Sequence, residues 1–246
     1  MAVTMENVLR ASDKTKERLK ESTNGQLVLD EGLIFSSKDI ILNIDGFESG
    51  KSNILFITGL AGSGKTTLAG TLEMQYGAEV ISLDYFQHET SFYRGEFEEF
   101  KDTASYKVVE RYMKENPDVE KDRYAFNSIS LEKFAEYFVP FFGWLVNALK
   151  KNKDKKYIVE GIHILLFIPY KDVKGYPLYC VNTSAIKSLV RHWKRDDWSI
   201  KDIVKHGYGD LLRFKDWNDQ YNRFKDSMNE GYLEKEDDIV VYYNNE

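Results

Sequence analysis

A glycine-rich octapeptide at residues 59–66, Gly-Leu-Ala-Gly-Ser-Gly-Lys-Thr, restricts the fold of this chain more than any other feature. It follows the apolar run 54–57 and precedes a run of helix-forming residues, 67–74. A G-x-x-x-x-G-K-[ST] spacing between a strand and a helix is typical of a phosphate-binding loop. Glycines allow successive backbone N–H groups to point at phosphate oxygens, and the helix N-terminus adds partial positive charge. The octapeptide therefore predicts a nucleotide site in an α/β fold.

Each residue type in this loop has an expected role. Lys65 is expected to reach the β- and γ-phosphates of a nucleoside triphosphate, and the Thr66 hydroxyl is expected to bind Mg²⁺. The predicted nucleotide-binding set is Gly59, Ala61, Gly62, Ser63, Gly64, Lys65, Thr66 and Thr67. A chance match in an ordinary turn is the alternative, and the strand and helix patterns on either side count against it.

Beyond the loop, strand and helix patterns alternate, which predicts a parallel sheet with helices on both faces. The predicted strands are 54–58, 79–83, 157–159, 178–181 and 239–243. The segment 85–156 is too long for a simple crossover and carries helical patterns, in which Pro140 predicts a kink or two helices.

The first part of the chain differs from the rest. Residues 1–50 are predicted to form an N-terminal helix and strand-rich appendage, with short extended runs at 26–29 and 33–36 separated by a turn. Residues 51–246 are predicted to form the main domain.

Two acidic residues lie at predicted strand ends. Asp84 follows the run 79–83, and Glu160 follows the run 157–159. Since ligands of parallel sheets bind at the carboxyl ends of strands, both acids are expected near the phosphate loop. Asp84 is expected to accept a proton from a substrate hydroxyl or to hold Mg²⁺, and Glu160 is the second acid expected near the metal. Taken alone, each is equally well explained as a solvated strand-end acid.

The segment 184–200 contains an amphipathic helix with one apolar and one basic face. The apolar face is predicted to contain Ile186, Leu189, Val190 and Trp193, and the basic face Lys187, Arg191, Lys194 and Arg195. Positive charge facing a triphosphate would neutralise the transferring phosphoryl group, so Arg191 and Arg195 are candidate catalytic residues. A solvated basic face is the alternative. The histidines lack metal-ligand spacing and are interpreted as structural or surface residues: His88, His163, His192 and His206.

The composition narrows the classes of protein to which this chain could belong. The formal net charge of −6 argues against a dedicated nucleic-acid binder. With Cys180 as its one cysteine, the chain has no internal disulfide, which fits a reducing compartment. The longest apolar run, 162–168, is too short to span a membrane, and the N-terminus lacks a signal-peptide apolar core. We therefore expect a soluble cytoplasmic protein, with homo-oligomer formation left open.

Together these motifs resemble the uridine kinase–phosphoribulokinase–pantothenate kinase group of P-loop kinases. The likeness spans residues 53–243 and lies in the phosphate loop, the strand ending at Asp84, the Glu-Gly strand end at Glu160, the arginine-containing segment 181–196 and the last strand. It implies an α/β P-loop NTPase three-layer fold with a five-stranded parallel sheet in the order 2-3-1-4-5. It also implies ATP and Mg²⁺ as cofactors, a helical substrate-binding insertion at 85–156 and a lid at 184–200.

The chain departs from this group in two places. The insertion lacks an Asn-Phe-Asp-His-Pro-type sequence of the kind associated with uridine recognition, and Ser188 and His192 stand where the group often has arginine. The chain is accordingly interpreted as a kinase acting on a hydroxyl of a small, nucleoside-like molecule. The residues predicted to contact this acceptor are Tyr85, Phe86, Tyr93 and Arg94, which lie closest in sequence to the catalytic edge.

Two alternatives stay open at this point. One is a zeta-toxin-like kinase of a sugar nucleotide, and the other is a P-loop nucleotide-binding switch without transferase activity. The chain has no Asn-Lys-x-Asp guanine motif and no Leu-Ser-Gly-Gly-Gln signature, which counts against a GTPase and a transporter ATPase.

Overall fold

The computed structural model describes residues 27–29, 33–35, 47, 49–87, 101–122, 126, 129–173, 175–182, 185–195, 198–227 and 239–243. The strands are β1 (Leu27–Leu29), β2 (Leu33–Phe35), β3 (Ile54–Gly59), β4 (Glu79–Ser82), β5 (Tyr157–Glu160), β6 (Leu178–Asn182) and β7 (Ile239–Tyr243). The helices are α1 (Lys65–Tyr76), α2 (Ala104–Glu115), α3 (Pro117–Asp122), α4 (Leu131–Lys151), α5 (His163–Phe167), α6 (Tyr170–Val173), α7 (Ala185–Arg195) and α8 (Ile200–Ser227).

The main sheet has the order β4-β5-β3-β6-β7, and its pairings are parallel. The predicted parallel sheet with helices is confirmed, and the observed order is the one that the resemblance implies. In the register, Ile57 of β3 and Ser82 of β4 both lie opposite Glu160. The carboxyl ends of these three strands therefore meet at one edge of the sheet.

Each face of the sheet buries a separate set of side chains, because successive residues of a strand point to opposite faces. All six residues of β3 are buried. Leu55 and Ile57 pack in one cluster with Leu68 and Leu72 of α1. Ile54 and Phe56 pack in the other, whose further members come from α2, α4 and α5. Burial on both faces explains why the sequence of β3 is a continuous apolar run rather than an alternating one.

The N-terminal segment is described only in part. The predicted hairpin is confirmed by antiparallel pairing in which Leu27 lies opposite Phe35 and Leu29 opposite Leu33. Phe47, which the sequence placed in the appendage, is fully buried and packs with Leu55 of the main sheet. The core of the main domain therefore includes a residue that precedes its predicted start at residue 51.

Helix α4 is one continuous helix of 21 residues that contains Pro140, so of the two predicted outcomes, a kink or two separate helices, the second is wrong. Proline removes one intrahelical hydrogen bond. Phe134, Phe138, Phe141 and Leu145 are buried on the same face of α4, before and after the proline. We attribute the continuity of the helix to this packing, which outweighs the local preference.

Helix α8 is the longest described helix, with 28 residues. Charged side chains occur along its whole length, at positions such as Lys201, Arg213 and Arg223. Within the described ranges, no helix combines the length and the apolar character needed to cross a membrane.

Candidate nucleotide-binding and catalytic site

The phosphate loop connects the end of β3 to the first turn of α1. Gly59, Gly62 and Gly64 have φ angles of 144°, 75° and 101°. This region of backbone conformation is open to glycine and strained for other residues. The Ser63 N–H donates to the Leu60 carbonyl at 3.1 Å, which closes the loop on itself. The glycine spacing thus produces a curled backbone ahead of a 12-residue helix, as phosphate binding requires.

Lys65 folds back over this loop. Its side chain is only 8% exposed, and its Nζ donates to the Leu60 carbonyl oxygen at 2.9 Å. The ammonium group is therefore held beside the loop backbone. A phosphate bound in the loop would offer this ammonium a charged acceptor in place of a carbonyl, which is the stronger interaction.

Two neighbouring elements approach the loop too closely for a side chain to fit. A Cβ atom at Gly59 would lie 2.4 Å from the Val181 carbonyl oxygen of β6. A Cβ atom at Gly62 would lie 2.5 Å from the Ser188 carbonyl oxygen of α7. The glycines are thus required for packing as well as for backbone conformation. Helix α7, which contains the predicted lid residues, lies directly against the phosphate loop.

The side of α7 that is buried differs from the predicted one. Ser188, Leu189 and His192 are buried, whereas Ile186 is 73% exposed and Val190 is 41% exposed. The apolar face predicted from the sequence is therefore wrong for Ile186 and Val190. Ser188 is buried where α7 lies against the loop, and its backbone carbonyl approaches Gly62.

We expect Gly62→Ala to weaken ATP binding about tenfold or more, because the new methyl group forces α7 and the loop apart. Gly77→Ala is the matched control, since Gly77 also has a positive φ, 61°, but would have nothing within 4 Å of its Cβ. The control should lower the melting temperature by the backbone strain alone and leave ATP affinity unchanged. Isothermal titration calorimetry with Mg·ATP measures the difference, and equal affinities in both variants would contradict the packing explanation.

The strand-end acid Glu160 lies in a tightly tied part of the sheet. The Glu160 carbonyl accepts from Leu83 N–H at 2.8 Å, the Gly161 N–H donates to the Ile57 carbonyl at 3.1 Å, and the Thr58 hydroxyl donates to the Gly161 carbonyl at 3.0 Å. These bonds hold the ends of three strands together. Glu160 itself is 1% exposed, so its carboxyl group lies within the protein, at the edge where the phosphate loop begins.

Asp84 begins a short helical turn, residues 84–87, just after β4. Its side chain is 29% exposed, and Oδ1 lies 3.5 Å from Nδ1 of His163, whose side chain is 2% exposed. The sequence predicted this strand-end position for Asp84 but assigned no role to His163. No local spacing marks it, because Asp84 precedes His163 by more than 70 residues in the sequence.

A cavity of 660 Å³ connects the loop side of the site with the helical insertion. Thr66, Ser82, Tyr85 and Glu160 line it near the phosphate loop. The remaining lining comes mostly from α2, α4 and the edge strand β4: Glu79, Val80, Thr103, Ala104, Ser105, Lys107, Val108, Arg111, Trp144, Ala148 and Leu149, with Glu73, Asp102, Asn152, Lys155 and Tyr157. The structure thus brings the predicted metal ligands Thr66 and Glu160 together with the predicted substrate residue Tyr85.

Helix α2 occupies its place beside this cavity because Ser105 pairs with the edge of β4. The Ser105 hydroxyl accepts from Ser82 N–H at 2.9 Å and donates to the Val80 carbonyl at 3.3 Å. The Ser105 side chain therefore satisfies the hydrogen bonding of two backbone groups that an edge strand would otherwise leave open to pairing with another chain.

At the end of the cavity away from Thr66, a neutral tyrosine hydroxyl lies near an ion pair of opposite charges. Burial raises the pKa of the Tyr157 hydroxyl, so this group stays neutral at physiological pH. The Glu79 carboxylate, which pairs with the Lys155 ammonium, raises the pKa of Lys155 and keeps it charged. Trp144 and Val108 give the cavity apolar walls, and Tyr157, Glu79 and Lys155 add a few hydrogen-bonding groups. This combination is common in small-molecule sites.

The oxygen donors present fit Mg²⁺ delivered with a nucleotide. Among the described residues, no group of three or more His, Cys, Asp or Glu could hold a metal ion by itself. Mg²⁺ usually needs only one or two carboxylates, because waters and phosphate oxygens complete its shell. Thr66, Asp84 and Glu160 offer such oxygens close to the glycine loop.

The other predicted site residues fall into three groups. Phe86 is fully buried and stacks on Phe141 with ring centroids 4.3 Å apart, so it packs in the core, and its role as a substrate contact stays a prediction. Arg191 is half-buried on α7, and Arg195 ends the same helix with its side chain outside the described residues. Tyr93 and Arg94 also lie outside the described residues.

No protein-family model matches this chain, and no curated protein matches it. Among solved structures, it is similar to the "Crystal structure of TT1252 from Thermus thermophilus", with 20% sequence identity and a TM-score of 0.36 over 78% of this chain and 88% of that one. Similarity at this level supports no argument about function, which therefore depends on the site geometry.

Proposed function

We propose that this protein is a P-loop kinase that uses ATP and Mg²⁺ to phosphorylate a hydroxyl group of a small molecule. One observation carries the proposal. Thr66, which follows Lys65 in the first turn of α1, lines a cavity together with Glu160 and Tyr85. A phosphate-binding loop, oxygen ligands for a metal and space for an acceptor at one edge are the parts that phosphoryl transfer needs.

The roles in this proposal follow from charge and position. The loop amides and Lys65 hold the β- and γ-phosphates, and Mg²⁺ supplies charge neutralisation when it is bound by Thr66 and a strand-end acid. Asp84 accepts the proton of the acceptor hydroxyl. The Arg191 and Arg195 guanidinium groups act on the transferring phosphoryl group from α7.

For the acceptor, we propose a nucleoside-like molecule bound in the cavity between α2 and α4. Its volume of 660 Å³ lies within the range of about 300–1,000 Å³ typical of small-molecule sites. Tyr85 and Thr66 line the part near the loop, while Trp144 and Tyr157 supply further aromatic surface. Aromatic walls favour a planar ring over a sugar alone by about 1 kcal/mol per stacked pair.

A screen for acceptor-dependent ATP consumption over nucleosides, vitamins, sugars and sugar nucleotides tests this function. Turnover with a nucleoside supports the proposal. Turnover restricted to sugar nucleotides would favour a zeta-toxin-like kinase instead. ATP binding without turnover on any acceptor would favour a nucleotide-binding switch.

We expect Ala148→Trp to raise the acceptor KM about tenfold or more and to leave the KM for ATP unchanged. Ala148 lines the cavity, so an indole there occupies the space proposed for the acceptor, but it does not belong to the phosphate loop. Val139→Trp, on the same helix but 43% exposed and outside the cavity lining, is the control. Steady-state kinetics with each substrate varied separates the two effects. An unchanged acceptor KM in Ala148→Trp would place the acceptor elsewhere.

A further inference from the structure

The imidazole of His163 is held in a fixed orientation next to Asp84. The residue is 2% exposed, and its ring centroid lies 5.6 Å from Phe134, 5.1 Å from Phe138 and 6.1 Å from Phe167. A ring surrounded by aromatic neighbours on two helices has little freedom to rotate. Its two nitrogen atoms therefore point in directions that the core determines.

Those two directions lead to Asp84 and Gln87, which are on the same helical turn. Nδ1 lies 3.5 Å from Oδ1 of Asp84, and Nε2 lies 2.8 Å from Oε1 of Gln87. The first distance is somewhat longer than a hydrogen bond, and a shift of about half an ångström would close it. Hydrogen bonds at catalytic groups are often long before substrate binds and shorten in the complex.

Gln87 allows His163 to present a proton to Asp84. The amide of glutamine has both a donor and an acceptor, and rotation by half a turn exchanges them. In the orientation shown, the Gln87 carbonyl oxygen accepts from Nε2–H, which leaves an acceptor on Nδ1 facing the Asp84 carboxylate, an unfavourable pairing. With the amide turned by half a turn, its NH₂ donates to Nε2 and the neutral imidazole carries its proton on Nδ1, facing the Asp84 carboxylate. The pair thus forms a chain in which Gln87 sets the tautomer and His163 offers a donor to Asp84.

Gly161 makes this contact possible. A Cβ atom there would lie 2.9 Å from Leu83 Cβ and 3.4 Å from His163 Nδ1. Because residue 161 has no side chain, the end of β4 and the start of α5 approach each other, and Asp84 is brought to His163.

We infer that His163 is a positioning residue that holds the Asp84 carboxylate in the orientation needed to accept the substrate proton. This catalytic role rests on the proposed kinase function, whereas the contact between His163 and Asp84 does not depend on that function. His163 touches neither nucleotide nor acceptor in this account, so its loss should change the chemical step and not the binding of ATP.

Two substitutions at His163 test this inference. His163→Phe keeps an aromatic ring among the phenylalanines and removes both nitrogens. His163→Asn keeps an N–H group near the position of Nδ1 and loses the ring. A purely structural role predicts that the phenylalanine variant is the better one, whereas a positioning role predicts the opposite order of activity.

We expect His163→Phe to lower kcat about tenfold to a hundredfold with the KM for ATP within about twofold of wild type, and His163→Asn to recover most of the loss. The second readout is the ¹³C resonance of the Asp84 carboxyl group without nucleotide, assigned by its absence in Asp84→Asn. It should move in His163→Phe and stay near its wild-type position in His163→Asn.

Other results would overturn the inference. These are a kcat in His163→Asn as low as in His163→Phe, or an Asp84 resonance that neither variant moves.

If wild-type protein turns over no acceptor, the kinase proposal fails, and the resonance by itself decides whether His163 positions Asp84. If His163→Phe does not fold, Gln87→Met at a half-buried position replaces it. This variant should move the Asp84 resonance in the same direction, and an unmoved resonance would refute the inference.

Discussion

Lys65→Ala is expected to reduce ATP turnover by a factor of at least about 100 and to weaken ATP binding about tenfold or more. The substitution removes the ammonium group that lies over the phosphate loop, 2.9 Å from the Leu60 carbonyl. In the complex this charge is proposed to face the β- and γ-phosphates, where negative charge is redistributed as the phosphoryl group leaves. ATP affinity and the rate of phosphoryl transfer should therefore both decrease.

Thermal stabilisation by ATP measures the binding part of this effect. At an ATP concentration of about 100 times Kd, binding stabilises the folded protein by about 2.7 kcal/mol, and a tenfold weaker Kd leaves about 1.4 kcal/mol. The exposed Lys51, at the opposite end of β3, provides the control, because Lys51→Ala removes the same charge away from the loop. A Lys65→Ala protein that keeps wild-type turnover would refute the kinase proposal.

The second large effect is expected for Asp84→Asn, which should lower kcat by about 100-fold to 10,000-fold while ATP affinity stays within a few-fold. The amide has nearly the shape of the carboxylate and can still accept a hydrogen bond from His163, so the side chain should keep its place. What the variant loses is the negative charge and the ability to take a proton. The phosphate loop is not altered.

Single-turnover kinetics and calorimetry together separate the possible roles of Asp84. Loss of transfer with retained Mg·ATP binding identifies the proton acceptor, whereas loss of both identifies a direct metal anchor. Asp154→Asn, in the exposed turn before β5, is the control for removing one carboxylate. Comparison with His163→Phe is informative, because that variant retains the Asp84 charge and disturbs only its orientation.

Helix α7 contacts the glycine-rich loop and also carries the arginines proposed to act in catalysis. Its Ser188 carbonyl lies against Gly62 of the phosphate loop, and Arg191 follows within the same helix. The helix that contacts the glycine-rich loop therefore also carries the arginines proposed to act on the transferring phosphoryl group.

Much of the architecture was predictable from local sequence. The glycine-rich loop between a strand and a helix, the strands just before Asp84 and at Glu160, and the alternation of strands and helices are all patterns of a few consecutive residues, set by backbone conformation and side-chain periodicity. The same holds for the hairpin of β1 and β2. These features depend on neighbours along the chain, and a sequence displays such neighbours directly.

The remaining features depend on residues that are distant in sequence, and only the tertiary structure decided them. Tyr85 and Phe86 are adjacent aromatics of similar character, yet Tyr85 lines the cavity while Phe86 stacks on Phe141 of α4. Ser188 is buried and Ile186 is exposed, because α7 turns the side that carries Ser188 towards the rest of the fold. These outcomes follow from the docking of α4 and α7, whose positions no local pattern specifies.

His163 illustrates the difference most clearly. Its own sequence neighbourhood contains no spacing that marks a functional histidine, since Asp84 and Gln87 precede it by more than 70 residues. The parallel pairing of β4 and β5 places the two chain segments side by side, and Gly161 lets them touch. The sequence alone determined which residues carry charge at the ends of the strands. Tertiary packing decided which of those residues meet, because the contact depends on strand pairing across the insertion.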